Sequence, residues 1–254
     1  MRFRITIPAI ILGMLALLSE AGNARADAKG DRILGHYEKA FRNFKDQFGK
    51  YKMVIKHKAG NKTIKFTLYN RPGWKRLIKF TYPGDLRGQM VLVKTRKVMY
   101  VYLPAYKRVR RIAGHVRNQG FMGSDFTFDD MAIGSWSPDY SATFIKEDKK
   151  HWYIELKAKK GKNPPFPKIK MKIDKKMHQA VKIEYLSAKG RKLRTQTFIN
   201  WTCQSGNKHC SPKTTRMVDH RRGNHTTDLV EQQTQWNVGI PDRYFTLRYL
   251  MKGS

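Results

Sequence analysis

From Tyr51 onward, apolar residues recur at every second position in short runs split by turn residues, and few folds accept that pattern. Tyr51, Met53 and Ile55 alternate with Lys52 and Lys56, and after Gly60-Asn61 the residues Ile64, Phe66 and Leu68 alternate with Lys65 and Thr67. Successive side chains of a strand point to opposite faces, so such a run buries one face and wets the other. Similar runs follow at 74–82, 89–94, 97–103, 107–112, 140–146, 152–159, 168–174, 181–186, 193–201, 214–220 and 226–238, with turns such as Pro72-Gly73 and Pro83-Gly84 between them. Connections this short join antiparallel neighbours, because a parallel pair needs a crossover of a dozen residues or more. The chain therefore predicts a mainly β (α+β) fold, an antiparallel meander of about ten or eleven strands, to which the runs at 214–220 and 226–238 are candidate additions. A sheet of that size twists until it curls or closes in part.

Helices are expected at few places. From Ala28 to Phe48, Ile33, Leu34, Tyr37, Phe41, Phe44 and Phe48 recur at spacings of three and four, which predicts an amphipathic helix ending at Gly49. The stretch from Gly114 to Trp136 breaks the alternation and predicts one short helix, with Thr127 as its cap and Asp129 and Asp130 in its first turn. Laid over a curled sheet, these helices enclose apolar space. Candidate residues lining such a cavity are Met53, Phe66, Leu68, Leu92, Tyr100 and Tyr102.

The first residues have the form of a secretory signal: Arg2 and Arg4, an apolar run from Ile5 to Leu18, and Ala24-Arg25-Ala26 as a cleavage site. The run is shorter than the ~20 residues that span a bilayer. The expected organisation is a signal peptide at 1–26 and one domain over 27–254. Asp27 follows the site, so no cysteine is there to carry a lipid. The two cysteines, Cys203 and Cys210, flank a polar stretch and are expected to form a disulfide in an oxidising compartment. Net charge is +33, from 52 Lys and Arg against 19 Asp and Glu, which favours anionic surfaces and polyanions as partners.

No catalytic constellation stands out. There is no Gly-x-Ser-x-Gly elbow, no His-Glu-x-x-His and no phosphate loop, and the eight histidines are scattered. The expectation is a protein that is not an enzyme, with no catalytic residues, cofactor or metal. The densest basic cluster, Lys107 to Arg111, places Arg108, Arg110 and Arg111 as candidates to dock an anionic headgroup or an acidic partner; the alternative is a charged edge that deters sheet pairing. No RNA-binding signature is present, so nucleic acid is not the expected partner.

Phe121-Met122-Gly123-Ser124-Asp125-Phe126-Thr127-Phe128-Asp129-Asp130-Met131 resembles the hallmark run of the outer-membrane lipoprotein-sorting proteins, relatives of the LolA carrier. Arg87-Gly88, the strand that ends at Leu103-Pro104 with the basic stretch after it, and the closing Phe245 to Leu250 are similar to that family as well. The resemblance implies a LolA/LolB-like fold: a curved, incompletely closed antiparallel β-barrel with helices covering the concave face. It also implies a soluble Gram-negative periplasmic carrier that binds a lipid or lipoprotein acyl chain and passes it toward the outer membrane. An inner-membrane transporter of the RND/MMPL type and an anionic membrane surface are the implied partners. Within the motif, Phe121, Met122, Gly123, Ser124, Asp125, Phe126 and Asp130 either shape a lid over the cavity or fix a turn. A second reading of the charge is a basic envelope module that binds polyanions or anionic glycolipids without a cargo cavity.

Overall fold

The computed structural model describes residues 27–57, 60–132, 134–204, 206 and 208–252; the signal segment read at 1–26 lies outside them. A helix, α1, covers 27–41. Thirteen strands follow: β1 (Gln47–His57), β2 (Gly60–Asn70), β3 (Arg76–Tyr82), β4 (Met90–Thr95), β5 (Val98–Leu103), β6 (Arg108–Arg111), β7 (Tyr140–Glu147), β8 (His151–Ala158), β9 (Lys168–Asp174), β10 (Ala180–Leu186), β11 (Lys192–Gln204), β12 (His209–Asp219) and β13 (His225–Trp236). Short helices α2 (Phe128–Met131) and α3 (Leu247–Lys252) complete the set. The strand count exceeds the ten or eleven expected, but each strand falls on one of the alternating runs.

All thirteen strands form one antiparallel sheet in the order β6-β5-β4-β3-β2-β1-β13-β12-β11-β10-β9-β8-β7. Every neighbour is also a sequence neighbour except at the centre, where β1 pairs with β13 from Gln47↔Trp236 to Lys56↔Thr226. The meander thus runs outward from β1 to β6, crosses to the far edge at β7, and returns to the middle. Val91 and Val93 of β4 share one buried cluster with Ile154 and Leu156 of β8, although those strands sit far apart in the order. Only a strongly curved sheet brings them together. Register shifts at Lys50/Tyr51 and Lys65/Phe66 add local bend. The edges β6 and β7 do not pair with each other, so the barrel is incomplete.

This topology fixes where the middle of the chain must go. Residues 112–139 connect one edge of the sheet to the other, so they cross the open concave side. There Phe121 and Phe126 bury themselves against Phe80 and the sheet interior.

Helix α1 covers the same side and buries Ile33, Leu34 and Tyr37. Its first turn also closes the β7 edge: the Ala142 amide donates to Asp31 Oδ1 at 2.8 Å, and Thr143 Oγ1 donates to Asp27 Oδ1 at 2.7 Å. An exposed strand edge invites aggregation, and a helix laid along it removes the free amides. Contact is so close that a Cβ added at Gly30 would stand 2.3 Å from the Ala142 carbonyl oxygen. Gly30→Ala is expected to push α1 off the edge and cost about 1–3 kcal/mol, as overpacked sites do. A thermal melt unchanged by the substitution would contradict this packing.

The helix stops at 41, not at Phe48 as the aromatic spacing predicts. Asp46 explains the early stop. Its carboxylate accepts the amides of Val238 (2.7 Å), Gly239 and Ile240 (3.0 Å), which ties the C-terminal segment to the start of β1. Phe48 then belongs to β1 and packs with Tyr69 on the convex face. That face carries a second cluster, in which Leu77, Met90 and Leu92 lie under Ile240, Phe245 and Leu250.

Candidate functional site

Between the sheet, α1 and the crossing segment lies a cavity of about 250 Å³. Tyr37 and Phe41 line it from the helix, Phe66 and Ile78 from the sheet, and Phe126 and Met131 from the crossing segment. Aromatic and aliphatic walls with a few convergent polar groups are the usual make-up of a small-molecule site. The same lining takes in Phe44, just past the end of α1, residues of the β11–β12 hairpin and Trp236. The hairpin is clamped by the Cys203–Cys210 disulfide, which joins directly opposed residues of the two strands. Trp236 stacks on His209 (5.5 Å between centroids) and meets Phe44 edge-on (5.1 Å), so the wall there is aromatic.

Polar groups sit at defined points of this wall. Arg76 enters from β3, donating to Asn70 Oδ1 at 3.1 Å and to the carbonyl of Met131 in α2. Asn70 in turn donates to Gln47 Oε1 at 3.0 Å. Burial pulls the Arg76 guanidinium down to about 10, still charged at neutral pH. Burial pushes the Tyr51 phenol up to about 12 and raises Tyr37 as well, so both hydroxyls stay neutral hydrogen-bonding groups. Glu231 of β13, opposite Tyr51 in register, holds Lys213 Nζ with Oε1 at 2.9 Å.

The crossing segment is pinned from several sides. Met122 (φ 55°) and Gly123 (φ 83°) adopt the left-handed conformation that turns the chain, and the Ser124 hydroxyl closes the turn on the Phe126 backbone. Asp125 is fully buried; its carboxylate accepts from Thr227 Oγ1 (2.7 Å) and Arg222 Nη1 (3.2 Å) and lies 2.7 Å from His225 Nδ1. Thr127 and Asp130 form a reciprocal capping box at the start of α2. Asp130 also takes both Nη atoms of Arg194, at 2.7 and 2.9 Å. The Arg194 side chain is fully buried, flanked by the rings of Phe166 (4.7 Å) and Tyr185 (4.8 Å), and donates to the Asp125 carbonyl. Burial would lower its pKa, but the Asp130 carboxylate more than offsets this and raises it. On the α1 side, Glu38 accepts the backbone amides of Trp136 and Ser137.

A family model described only as an uncharacterized protein matches residues 73–252. The structure is similar to a domain assigned to an outer membrane lipoprotein-sorting protein from Vibrio parahaemolyticus. That match has a TM-score of 0.80 and 25% identity, covering 89% of this chain and 99% of that one. The chain belongs to the family that the matched model describes, and its fold is LolA-like. A DUF1329 family protein from Desulfovibrio piger (TM-score 0.74, 23% identity, covering 86% of this chain and 98% of that one) shares the fold. So does a LolA superfamily protein from Nitrosomonas europaea (TM-score 0.68, 18% identity, covering 87% and 98%). No curated protein matches the sequence.

Within this LolA-like fold the six candidate cavity residues separate. Met53, Phe66 and Leu68 face the concave cluster, and Phe66 and Leu68 line the cavity itself. Leu92, Tyr100 and Tyr102 do not; they lie on the convex face with the C-terminal segment. The reason is the period of two: Val91, Val93, Met99 and Val101 take the concave positions of β4 and β5. Arg108, Arg110 and Arg111 are exposed on the edge strand β6, and none of them lines the cavity. Sequence reasoning missed Arg76, Arg194, Glu231 and His225. Arg76 and Arg194 look like ordinary surface cations of half-wet strands, and no local signal sets them apart.

Proposed function

We propose that this LolA-like protein is a non-enzymatic carrier that holds an acyl chain of a lipid or lipoprotein in the concave cavity and conveys it toward the outer membrane. The supporting observation is the cavity itself, a space of about 250 Å³ under the crossing segment with largely aromatic and aliphatic walls. Each buried methylene contributes about 0.8 kcal/mol, so a chain of modest length gains enough to be retained in water. In this reading cargo enters between Phe44 and the β11–β12 hairpin, because Asp125, Asp130 and Glu38 fasten the crossing segment. The signal at 1–26 sends the domain to the periplasm, where the disulfide is stable. No helix among the described residues is long and apolar enough to cross a membrane. The exposed Arg108, Arg110 and Arg111 meet an anionic membrane surface or a transporter of the resistance-nodulation type during loading.

Protein purified from its native envelope should carry bound lipid in near one-to-one ratio, detected by mass spectrometry after organic extraction. Delipidated protein should take up fatty acid, and the binding should survive high salt, because apolar burial is not screened. Binding only to polyanions, vanishing steeply with salt, would instead favour the cavity-free basic module.

A further inference from the structure

The two edges of the sheet are finished differently. Helix α1 lies along β7, where Asp31 takes the Ala142 amide. At β6 nothing among the described residues plays that part. The Ile112 amide bonds to the Met99 carbonyl, and the pairing continues from Tyr100↔Arg111 to Leu103↔Arg108. Bonded and non-bonded positions alternate along an antiparallel pair. Arg108 and Arg110 therefore turn their backbone groups toward β5, while Val109 and Arg111 each turn an N–H and a C=O outward. The side chains beside this open ladder are basic. Arg110 opposes Val101, so Arg108 and Arg110 project on the concave side; Val109 and Arg111 project on the convex side. None of these arginines is paired with a carboxylate among the described residues, and between Asp85 and Asp125 the chain carries nine Lys and Arg and no acidic residue. Tyr106, in the turn that leads into β6, is 72% exposed. Tyr and Arg are the residues that protein interfaces favour.

We propose that β6 is the docking strand for an extended acidic segment of a partner protein, which adds to the sheet with acidic side chains at alternate positions beside Arg108 and Arg110. In strand addition the free backbone groups supply affinity and alternate side chains supply selection. Opposite charges on neighbouring strands attract and like charges repel. The arginines that admit an acidic segment thus also turn away the β6 of a second copy, which answers the hazard of an open edge. A membrane surface would use the cations alone and leave the outward groups of Val109 and Arg111 idle. The inference goes beyond the carrier reading and stands apart from the cavity.

The test is fluorescence anisotropy with a labelled peptide of alternating Glu and Val, about eight residues long, against a peptide of the same composition with its Glu in one block. The alternating peptide should bind about tenfold more tightly. On binding it should slow hydrogen exchange, followed by NMR, at the Val109 and Arg111 amides. Arg108→Glu combined with Arg110→Glu should weaken binding about tenfold or more and shift the preference to a peptide of alternating Lys and Val, a gain that an unfolded variant could not show. Equal binding of the two acidic peptides would overturn the inference, as would unchanged exchange at Val109 and Arg111. Absence of peptide binding would overturn it too, and arginine-dependent binding to phosphatidylglycerol vesicles would then assign the edge to a membrane. Acyl-chain uptake by the cavity is measured separately, so either reading can fail without the other.

Discussion

Arg194→Leu is expected to lower stability by about 3–5 kcal/mol, the usual cost of breaking a buried ion pair from one side. The substitution leaves the Asp130 carboxylate, 8% exposed, without its two guanidinium hydrogen bonds. It also strips the Asp125 carbonyl of a donor and the rings of Phe166 and Tyr185 of the cation between them. These contacts join β11 to the crossing segment, so the damage is directional. The segment should become protease-sensitive near Phe121 to Met131 at denaturant concentrations where the sheet persists. Urea titration followed by tryptophan fluorescence measures the first effect and limited proteolysis the second. Pairing Arg194→Met with Asp130→Leu should recover much of the loss, since removing both charges removes the stranded one. A loss below about 1 kcal/mol for Arg194→Leu would mean that Asp130 finds other partners without cost.

Filling the cavity should do the opposite: spare the fold and remove the ligand. Ala40, near the end of α1, lines the cavity. In Ala40→Trp the indole occupies space that about four methylenes of a chain would otherwise fill, worth about 3 kcal/mol in all. Acyl-chain affinity should therefore fall about a hundredfold. The helix penalty of the substitution is only a fraction of a kcal/mol, so the melting temperature should move little. Undiminished binding would place the ligand elsewhere, and the convex face under α3 would be the next place to look.

These two substitutions also mark where sequence reading succeeds and where it stops. Strand positions were legible because alternation is a local property, and each observed strand lies on such a run. The capping role of Thr127 was legible too, since its partner Asp130 is three residues away. The side of the sheet was harder. On β4 and β5 both faces are buried, one by the concave core and one by the C-terminal segment, so Leu92 and Val93 carry no mark of which way they point. The end of α1 misled for a related reason: Phe44 and Phe48 continue a helical spacing, yet Asp46 is committed to amides almost two hundred residues away. Arg194 and Glu231 stayed hidden because their partners are distant in sequence, and a charged residue in a strand reads as a wet position until the fold brings Asp130 or the cavity to it.

The pairing of β1 with β13 at the centre of the sheet bears on how the molecule is made. Strands β1 to β6 can zip together hairpin by hairpin as they emerge, because each contact is local. The inner edge of β1, from Gln47 to Lys56, must wait for the last strand in the order of synthesis. Until then this seam of the sheet is an open template for any extended chain nearby. The final suture is thus a long-range one, made in the middle of the fabric and not at its hem. Slow release or a holding chaperone at that stage would matter more to yield than the stability of the finished fold.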